Sequence, residues 1–195
     1  MLAEGRARGF LGPGTIAAQL DHSLAFGSLV PAAPRQAVDL GSGGGVPGLA
    51  LVELWPQSRW VLVEANVRRA AFLTEAVDAL GLSHRVEVLC QRAEETGRDS
   101  SRRAQADLVV ARSFGPPAVT AECAAPLLRV GGSLVVAEPP GGAPARWPPD
   151  RLAVLGLVPD ESQISPVALA CLRQAELCPT RYPRRTGVPA KRPLY

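Results

Sequence analysis

Glycines preceded by an acid form one short stretch whose residue types suit the binding of a nucleotide or nucleoside. The stretch reads Asp39-Leu-Gly-Ser-Gly-Gly-Gly-Val-Pro-Gly48, and Glu64 follows it. Glycine lacks a Cβ atom, so it permits tight turns and lets backbone N–H groups approach a ligand closely. Glu64 lies near the distance at which a ribose-binding acid is expected after such a loop. These residues predict a site for a ligand that contains a ribose.

The glycine stretch is compatible with two classes of ligand. Gly43 to Gly48 fit the fingerprint G-x-G-x-x-G, so a nicotinamide-dependent dehydrogenase is one interpretation. The loop begins at Gly41, directly after Asp39, and this order of acid, apolar residue and Gly-x-Gly-x-Gly resembles the first motif of class I methyltransferases. Those enzymes bind S-adenosylmethionine, which has no pyrophosphate. Glu64 fits both ligands and Asp39 fits the methyltransferase better, while a plain turn between strand and helix is the third interpretation.

Short apolar runs alternate with helical patterns, which predicts strand-helix-strand units and a mostly parallel sheet. The predicted strands are 37–40, 60–64, 86–90, 106–111 and 133–137, followed by the hairpin arms 158–165 and 167–176. The predicted helices are 15–29, 46–54, 67–80, 117–128 and 151–155, with a polar loop at 94–105 and an irregular surface loop at 138–150. The pattern resembles the methyltransferase version of the doubly wound sheet. The predicted fold class is therefore α/β: a Rossmann-like class I S-adenosylmethionine-dependent methyltransferase, mostly parallel with a C-terminal antiparallel hairpin.

Length and composition indicate one folded domain. A chain of 195 residues with 47% hydrophobic and 20% charged residues can bury a core of its own. The predicted organisation is an N-terminal helical segment at 1–30, a methyltransferase domain at 31–178 and a basic, proline-rich tail at 179–195. No apolar run reaches the roughly 20 residues of a membrane-spanning helix, and the N-terminus lacks the features of a signal peptide. We therefore expect a cytoplasmic protein without a membrane partner.

The cysteines predict neither a disulfide framework nor a zinc site. Cys90, Cys123, Cys171 and Cys178 form no Cys-x-x-Cys pair and have no nearby histidine. We expect buried thiols and no bound metal.

The net charge of +3 comes from the end of the chain. Without the five cations of the last fifteen residues, 16 basic residues stand against 18 acidic ones, a net charge of −2. This tail is a candidate RNA clamp, because Lys and Arg neutralise phosphates and release counterions; a disordered terminus is the alternative. Apolar residues such as Tyr182, Pro189 and Leu194 favour partial docking against the domain. The five cations are Arg181, Arg184, Arg185, Lys191 and Arg192.

Several segments together resemble the RsmG family, also called GidB, whose members methylate N7 of a guanine in small-subunit ribosomal RNA. The resemblance runs from about Thr15 to the end of the chain, and the tail is its most discriminating part. It implies S-adenosylmethionine as cofactor and the 16S ribosomal RNA of the small ribosomal subunit as partner; we expect a monomer. The matching segments are Asp21-His-Ser-Leu24, Asp39 to Gly48, Val63-Glu-Ala-Asn-Val-Arg-Arg69 with Phe72-Leu73, Arg92-Ala-Glu94, Ala111-Arg-Ser-Phe114 and Tyr182 to Leu194.

By this resemblance, the glycine loop and the ends of the following strands line a cofactor pocket. Glu94 would accept a hydrogen bond from the adenine amino group, since a carboxylate is an acceptor only. Arg112 is the candidate catalytic residue, which would hold the cofactor or a guanine oxygen. Taken singly, Glu94 fits a solvated loop acid, Arg112 a cap at a strand end and Val46 a core position. The implied cofactor-binding set is Asp39, Gly41, Gly43, Gly45, Val46, Glu64, Ala93, Glu94 and Arg112.

The implied reaction needs no general base. Guanine N7 carries a free lone pair, so it attacks a sulfonium methyl group without first losing a proton. This agrees with a chain whose histidines are His22 and His84, and it leaves catalysis to in-line positioning. His22 is a candidate RNA contact, with a packed histidine as the favoured alternative.

Two features depart from the family pattern. The longer N-terminal region of the family, with Trp-Asn and Asn-Leu-Thr motifs, has no counterpart before Asp21. After the fifth strand the family commonly shows Ala-Leu-Lys-Gly, whereas this chain reads Val136-Ala-Glu-Pro-Pro-Gly141. Glu138 is therefore expected beside the substrate, where it would favour a cationic product or repel RNA; a solvated loop glutamate is the simpler interpretation. A related methyltransferase acting on another RNA or a small molecule, and a non-catalytic cofactor-binding RNA-associated protein, stay open.

Overall fold

The computed structural model describes residues 1–141, 144–163 and 167–195, without the side chains of 144 and 161–163. The strands of these ranges are β1 (Gln36–Leu40), β2 (Arg59–Val63), β3 (Val86–Leu89), β4 (Ala106–Ala111), β5 (Leu128–Ala137), β6 (Leu157–Gln163) and β7 (Leu169–Gln174). Within the described ranges they form one seven-stranded sheet, in the order β3-β2-β1-β4-β5-β7-β6. Neighbours among β1 to β5 pair in parallel, while β7 is antiparallel to β5 and β6. The predicted fold class is confirmed.

The strand order creates a switch point between β1 and β4. From β1 the chain continues outward through β2 to β3, and it then returns to place β4 on the other side of β1. In an open sheet of this kind, ligands bind outside the carboxyl ends of the strands where the order reverses. The crevice beyond Leu40 and Ala111, the last residues of β1 and β4, is therefore the expected binding place.

Helices cover both faces of the sheet. Leu51 and Leu73 belong to a hydrophobic cluster on one face, and Ala121 and Leu152 belong to a second cluster on the other. Residues 108–111 of β4 alternate between the two clusters and are 0% exposed, as expected for a central apolar strand. The helices are α1 (Leu2–Ala7), α2 (Ile16–Ala25), α3 (Gly48–Leu54), α4 (Val67–Ala79), α5 (Ala93–Arg98), α6 (Pro117–Ala124), α7 (Pro149–Ala153) and α8 (Val188–Lys191), with 3-10 helices at Phe26–Leu29 and Pro144–Arg146.

Helix α5 corrects the predicted polar loop at 94–105. The Glu95 side chain accepts the N–H of Arg92 at 3.2 Å, which is the returning half of a capping box and closes the first turn. Thr96 and Gly97 are buried in this helix despite its polar composition. Tertiary packing therefore supports a helix where the sequence pattern indicates a loop.

Three predicted boundaries shift for local reasons. Helix α6 ends at Ala124, four residues before the predicted end, because Pro126 has no N–H for a helical hydrogen bond. Strand β5 begins at Leu128 and not at residue 133, since Leu128 already pairs with Ala106 ahead of an irregularity in the register. The predicted helix 15–29 is α2, after which the chain tightens into the 3-10 helix at Phe26–Leu29.

The predicted hairpin is confirmed by the pairing of β6 with β7. Positions 164–165 of its first arm, like 142–143 of the predicted irregular loop, lie outside the described residues. Three of the cysteines are buried as expected, whereas Cys90 is exposed because it follows the edge strand β3. Across the described ranges, no helix combines the length and apolar character that crossing a bilayer requires.

Candidate cofactor site

The glycine loop leaves β1 in a conformation that glycine favours. Gly41, Gly43 and Gly45 have positive φ angles of 72°, 55° and 91°. The N–H groups of Gly41 and Ser42 donate to Val63 O at 2.8 and 3.1 Å, so the loop is tied to the carboxyl end of β2. A Cβ atom on Gly41 would lie 2.8 Å from the Phe114 ring, which also requires glycine there. The loop thus joins the ends of β1 and β2 and passes close to the residues after β4.

Glu64 lies at the end of β2 with both carboxylate oxygens in use by the backbone. Gly43 N–H donates to Oε2 at 2.9 Å, and Asn66 N–H donates to Oε1 at 2.8 Å. The residue is 6% exposed. Each carboxylate oxygen accepts more than one hydrogen bond, so hydroxyl donors can be added without breaking these contacts. The backbone therefore holds the carboxylate in one orientation beside the glycine loop.

A cavity of about 270 Å³ opens between the glycine loop, β2 and α5. It brings together four of the predicted cofactor residues, Gly41, Glu64, Ala93 and Glu94. The others lie outside its lining: Asp39, Gly43, Gly45, Val46 and Arg112. A second cavity, of about 330 Å³, is lined by the first residues of the parallel strands. The smaller cavity is the candidate site, because it lies at the carboxyl ends of the strands.

Residues without a predicted role complete the cavity wall. Arg69 and Arg92 line it, as do Phe114 and Ala190 of the tail. Ser113, also in the lining, has a φ angle of 54°, a left-handed conformation that is uncommon outside glycine. All five lie within the segments that match the family, but the sequence gives no signal that the tail reaches this cavity.

Glu94 is a buried member of the site and not a solvated loop acid. It is 8% exposed, in the first turn of α5. Its Oε1 accepts the N–H of Gly187 in the tail at 2.9 Å. The simpler sequence interpretation of Glu94 is therefore wrong, and its carboxylate has a fixed position in the cavity wall.

Behind the loop, Asp39 is completely buried. Its Oδ2 accepts the N–H of Gly48 at 3.0 Å, and a Cβ atom on Gly48 would lie 2.5 Å from that oxygen. Burial raises the pKa of Asp39 to about 7, because desolvation disfavours the charged carboxylate. The Gly48 hydrogen bond and the charge of Arg112 oppose this shift without cancelling it.

Arg112, at the end of β4, is held by a residue that the sequence analysis missed. Its Nη2 donates to Oε1 of Gln19 in α2, whose Nε2 in turn donates to Pro13 O at 2.6 Å. Gln19 is 4% exposed, so the polar face of α2 packs toward the site. His22 lies on the same helix, and its pKa is lowered by burial and then by the charge of Arg112. His22 is thus part of a half-buried cluster, which agrees with the packed alternative.

Three buried polar atoms of this cluster have no hydrogen-bond partner in the described part of the chain: His22 Nδ1, Asp39 Oδ1 and Arg112 Nη1. Most buried polar groups are satisfied, so such atoms call for a ligand or an ordered water. An acceptor, a donor and a ring nitrogen fit a zwitterionic group with an ammonium and a carboxylate. The residues present therefore fit the amino-acid end of a cofactor such as S-adenosylmethionine.

Two predicted substrate contacts are corrected by their surroundings. Arg184 donates to Glu122 from its backbone N–H and from its guanidinium, so it is an internal ion-pair partner and not a free tail cation. The Glu138 side chain is 3% exposed, forms an ion pair with Arg146 at 2.5 Å and accepts the Trp147 indole N–H at 3.0 Å. It is neither a solvated loop acid nor a free charge facing the substrate.

The parallel sheet with an antiparallel β7, the acid and glycine loop after β1, and the acid that ends β2 define a class I S-adenosylmethionine-dependent methyltransferase. Solved structures with this fold include a putative O-methyltransferase from Klebsiella pneumoniae, with a TM-score of 0.63 and 13% identity, covering 88% of this chain and 86% of that one. The cofactor-bound Rv0187 from MTB has a TM-score of 0.62 and 19% identity, covering 90% of this chain and 88% of that one. At such identities the likeness concerns the fold.

The family is shown by sequence. The model of GidB, rRNA small subunit methyltransferase G, matches residues 15–138. A protein of Rubrobacter xylanophilus named ribosomal RNA small subunit methyltransferase G is 38% identical over 192 residues, covering 90% of this chain and 72% of its own length. A protein of the same name from Roseiflexus sp. (strain RS-1) is 40% identical over 176 residues, with coverage of 84% and 72%. The chain belongs to the GidB family, and the dehydrogenase interpretation is wrong.

Proposed function

We propose that this chain transfers a methyl group from S-adenosylmethionine to N7 of a guanine in the 16S ribosomal RNA of the small subunit. The observation that carries the proposal is the Glu64 carboxylate, fixed by Gly43 and Asn66 at the wall of the cavity beyond β1 and β2. A carboxylate in that place suits a ribose diol, and family membership supports both the reaction and the RNA substrate.

Two residues of the cavity lining and two buried polar atoms next to the glycine loop, outside that lining, divide the cofactor between them. Glu64 accepts hydrogen bonds from the ribose hydroxyls, and the Glu94 oxygen that does not bond Gly187 accepts from the adenine amino group. The unpartnered Arg112 Nη1 and Asp39 Oδ1 suit the carboxylate and the ammonium of the amino-acid end. An ammonium beside Asp39 favours its ionised form, which offsets the cost of burying that carboxylate.

Methyl transfer to N7 requires that the protein position the two reactants and stabilise the positive charge that guanine gains. The cofactor supplies a methyl group on a sulfonium. The N7 lone pair is free, so no side chain has to remove a proton. The remaining task is to hold the two reactants in line, which suits a site built from carboxylates held by backbone N–H groups and the half-buried guanidinium of Arg112. Glu138 takes no part, because Arg146 and Trp147 already use its carboxylate.

The cavity has a cationic border that suits RNA phosphates. Arg69 and Arg92 line the cavity and are exposed residues. Ala190, also in the lining, is followed directly by Lys191 and Arg192, both exposed. Arg and Lys neutralise phosphates, so RNA lying across the tail would bring a base to the cavity.

One of the competing functions loses part of its support. The small-molecule alternative rested on the missing N-terminal region and on a negative charge of Glu138 facing the substrate, and that charge is paired inside the fold. A non-catalytic relative differs from the proposed enzyme in turnover alone, so the assay below separates the two. Because ribosomal subunits are the proposed substrate, we propose a cytoplasmic location; a monomer without bound metal stays a prediction.

Replacing Glu64 by alanine is expected to weaken S-adenosylhomocysteine binding by about 1.5–3 kcal/mol, the range for hydrogen bonds to a charged group. The change removes the ribose acceptor and frees the N–H of Gly43. Calorimetry measures the affinity, and methyl transfer to unmethylated small subunits measures turnover. Wild type is expected to methylate N7, and Glu64→Ala to lose most of this activity at limiting cofactor.

The exposed Glu176, after β7, provides a control of the same residue type, and Glu176→Ala should bind and react like wild type. Unchanged affinity in Glu64→Ala would remove Glu64 from the site. A wild-type chain that binds the cofactor but leaves the subunits unmethylated would refute the proposed activity.

Replacing the four exposed tail cations by glutamine is expected to flatten the salt dependence of RNA affinity. Each lost phosphate contact reduces the slope of log K against log salt by about 0.7–0.9. Anisotropy titrations of a 16S fragment at several salt concentrations measure the slope, while the affinity for S-adenosylhomocysteine should stay unchanged. If the variant keeps the wild-type slope, these cations make no phosphate contacts and the tail is purely structural. The four cations are Arg181, Arg185, Lys191 and Arg192.

A further inference from the structure

A fully buried acid in helix α6 fixes the tail to the domain. Glu122 is 0% exposed, and its Oε1 accepts from the backbone N–H and Nε of Arg184 at 2.9 and 2.8 Å. Its Oε2 accepts from Nη2 of Arg184 at 2.6 Å. A carboxylate in this position is strongly destabilising without a partner, so the docked tail supplies the partner that Glu122 requires.

A second arginine holds the beginning of the tail. Arg103 donates through Nη1 to Tyr182 O at 2.7 Å and to Gly97 O at 2.9 Å, and through Nη2 to Cys178 O at 3.0 Å. The contact to Gly97 ties the same guanidinium to helix α5. Pro183 packs against Gly97, where a Cβ atom would lie 3.0 Å from the proline ring. The tail is therefore attached to α5 and to α6.

Between these attachments and its end, the tail meets the cofactor cavity. Gly187 has a φ angle of 79°, and its N–H donates to Glu94 Oε1 at 2.9 Å. Ala190, in α8, forms part of the cavity lining. Further along, burial raises the pKa of Tyr195 to about 12, with the charges of Arg146 and Glu138 also acting on its hydroxyl. The tail thus crosses from α6, past Glu94, to the segment after β5.

We propose that the Arg184–Glu122 ion pair holds the tail as a wall of the cofactor cavity, and that Gly187 N–H orients the Glu94 carboxylate for the adenine amino group. This inference rests on the proposed function, because it takes Glu94 as the adenine acceptor. Arg184, Glu122 and Gly187 are positioning residues, which act on the cofactor through Glu94 and Ala190.

The physical reason is that Glu94 has its orienting donor only while the tail is docked. When the tail detaches, the Glu94 carboxylate loses the Gly187 hydrogen bond, and Ala190 leaves the wall. The cofactor therefore binds the docked state more tightly than the detached state. Linkage makes the effect reciprocal, so bound cofactor must also stabilise docking.

The first test compares two neighbouring tail arginines in the full chain. Arg184→Met removes the guanidinium that binds Glu122, whereas Arg185→Met changes an exposed side chain. Calorimetry with S-adenosylhomocysteine is expected to show a dissociation constant raised on the order of tenfold for Arg184→Met, within the usual range of coupling between sites. The constant for Arg185→Met should equal that of wild type. An unchanged constant for a folded Arg184→Met variant would overturn the proposal.

The second test needs no variant and so does not depend on one folding. Hydrogen exchange of wild type is measured with and without S-adenosylhomocysteine, and the ligand is expected to slow exchange at Gly187 and at Lys191, whose N–H bonds Gly187 O. Unchanged exchange there, with ligand shown to be bound, would overturn the proposal and leave the tail as a separate structural element. A wild type that binds no S-adenosylhomocysteine at all contradicts the proposed function instead, so the two failures are distinguishable.

Discussion

Replacing Arg112 by alanine is expected to lower kcat for methyl transfer on the order of 10²-fold, because without the guanidinium the cofactor carboxylate is no longer held and the methyl group moves out of line with N7. Nη2 of Arg112 is held by Gln19, and Nη1 is buried without a partner in the described ranges. A donor that the fold orients and leaves unsatisfied is available to the ligand. Single-turnover methylation of unmethylated small subunits at saturating cofactor measures the loss.

Two further variants separate positioning from stability. Arg112→Lys keeps the charge but not the planar fork, so it should recover a small part of the activity. Gln19→Leu removes the acceptor that fixes Nη2 and should raise KM for the cofactor with a smaller fall in kcat. Urea unfolding should show a much smaller effect of Arg112→Ala than the kinetics do. If Arg112→Ala turns over as fast as wild type but is less stable, Arg112 is a structural cap at the end of β4 and has no role in the reaction.

Replacing Glu138 by lysine is expected to destabilise the fold by about 3–5 kcal/mol, the cost of breaking a buried ion pair. The lysine would lie beside Arg146, with no acceptor for the Trp147 indole N–H. From the sequence alone, Glu138 is expected beside the substrate, and if that substrate is RNA, the reversal to lysine would remove a repulsive charge and tighten RNA binding or preserve activity. The burial of Glu138 inverts that expectation, because the new charge would enter the interior and not face RNA.

Glu138→Gln is the matched control. Its amide oxygen still accepts from Trp147, so it should lose clearly less stability in the same urea titration. Arg146 is partly exposed, with 33% of its side chain accessible, and tolerates a neutral neighbour better than a cationic one. A Glu138→Lys variant as stable as wild type, with higher RNA affinity, would show that the glutamate faces the substrate after all.

The features that local pattern determines were predictable from the sequence. The central strand 106–111 follows from its apolar run, and the glycine loop with Glu64 follows from residue types that permit close backbone approach. These features depend on neighbours within the same strand-loop-helix unit. The cavity wall depends instead on residues far apart in sequence, because Glu94 accepts a hydrogen bond from Gly187, 93 residues further along the chain.

The contacts that the sequence pattern could not predict join residues that are far apart in sequence. Gln19 also lies 93 residues from Arg112, and the helical spacing of the apolar residues in α2 does not indicate this partner. Glu122 did carry a usable signal. An acid inside the apolar run 117–128 needs a buried partner, and the arginines of the tail, whose apolar residues favour docking against the domain, were available to it. Which arginine it takes is decided by tertiary packing.

The attachment of the tail sets an order of events during synthesis of the chain. The last strand of the sheet ends at Gln174, whereas the helix that reaches the cavity begins at Val188. All strands therefore leave the ribosome before the residues that complete the cavity wall, and the sheet can form while the site is still open on that side. Cofactor binding therefore reaches its full strength only after the tail has docked, and so after the sheet is in place.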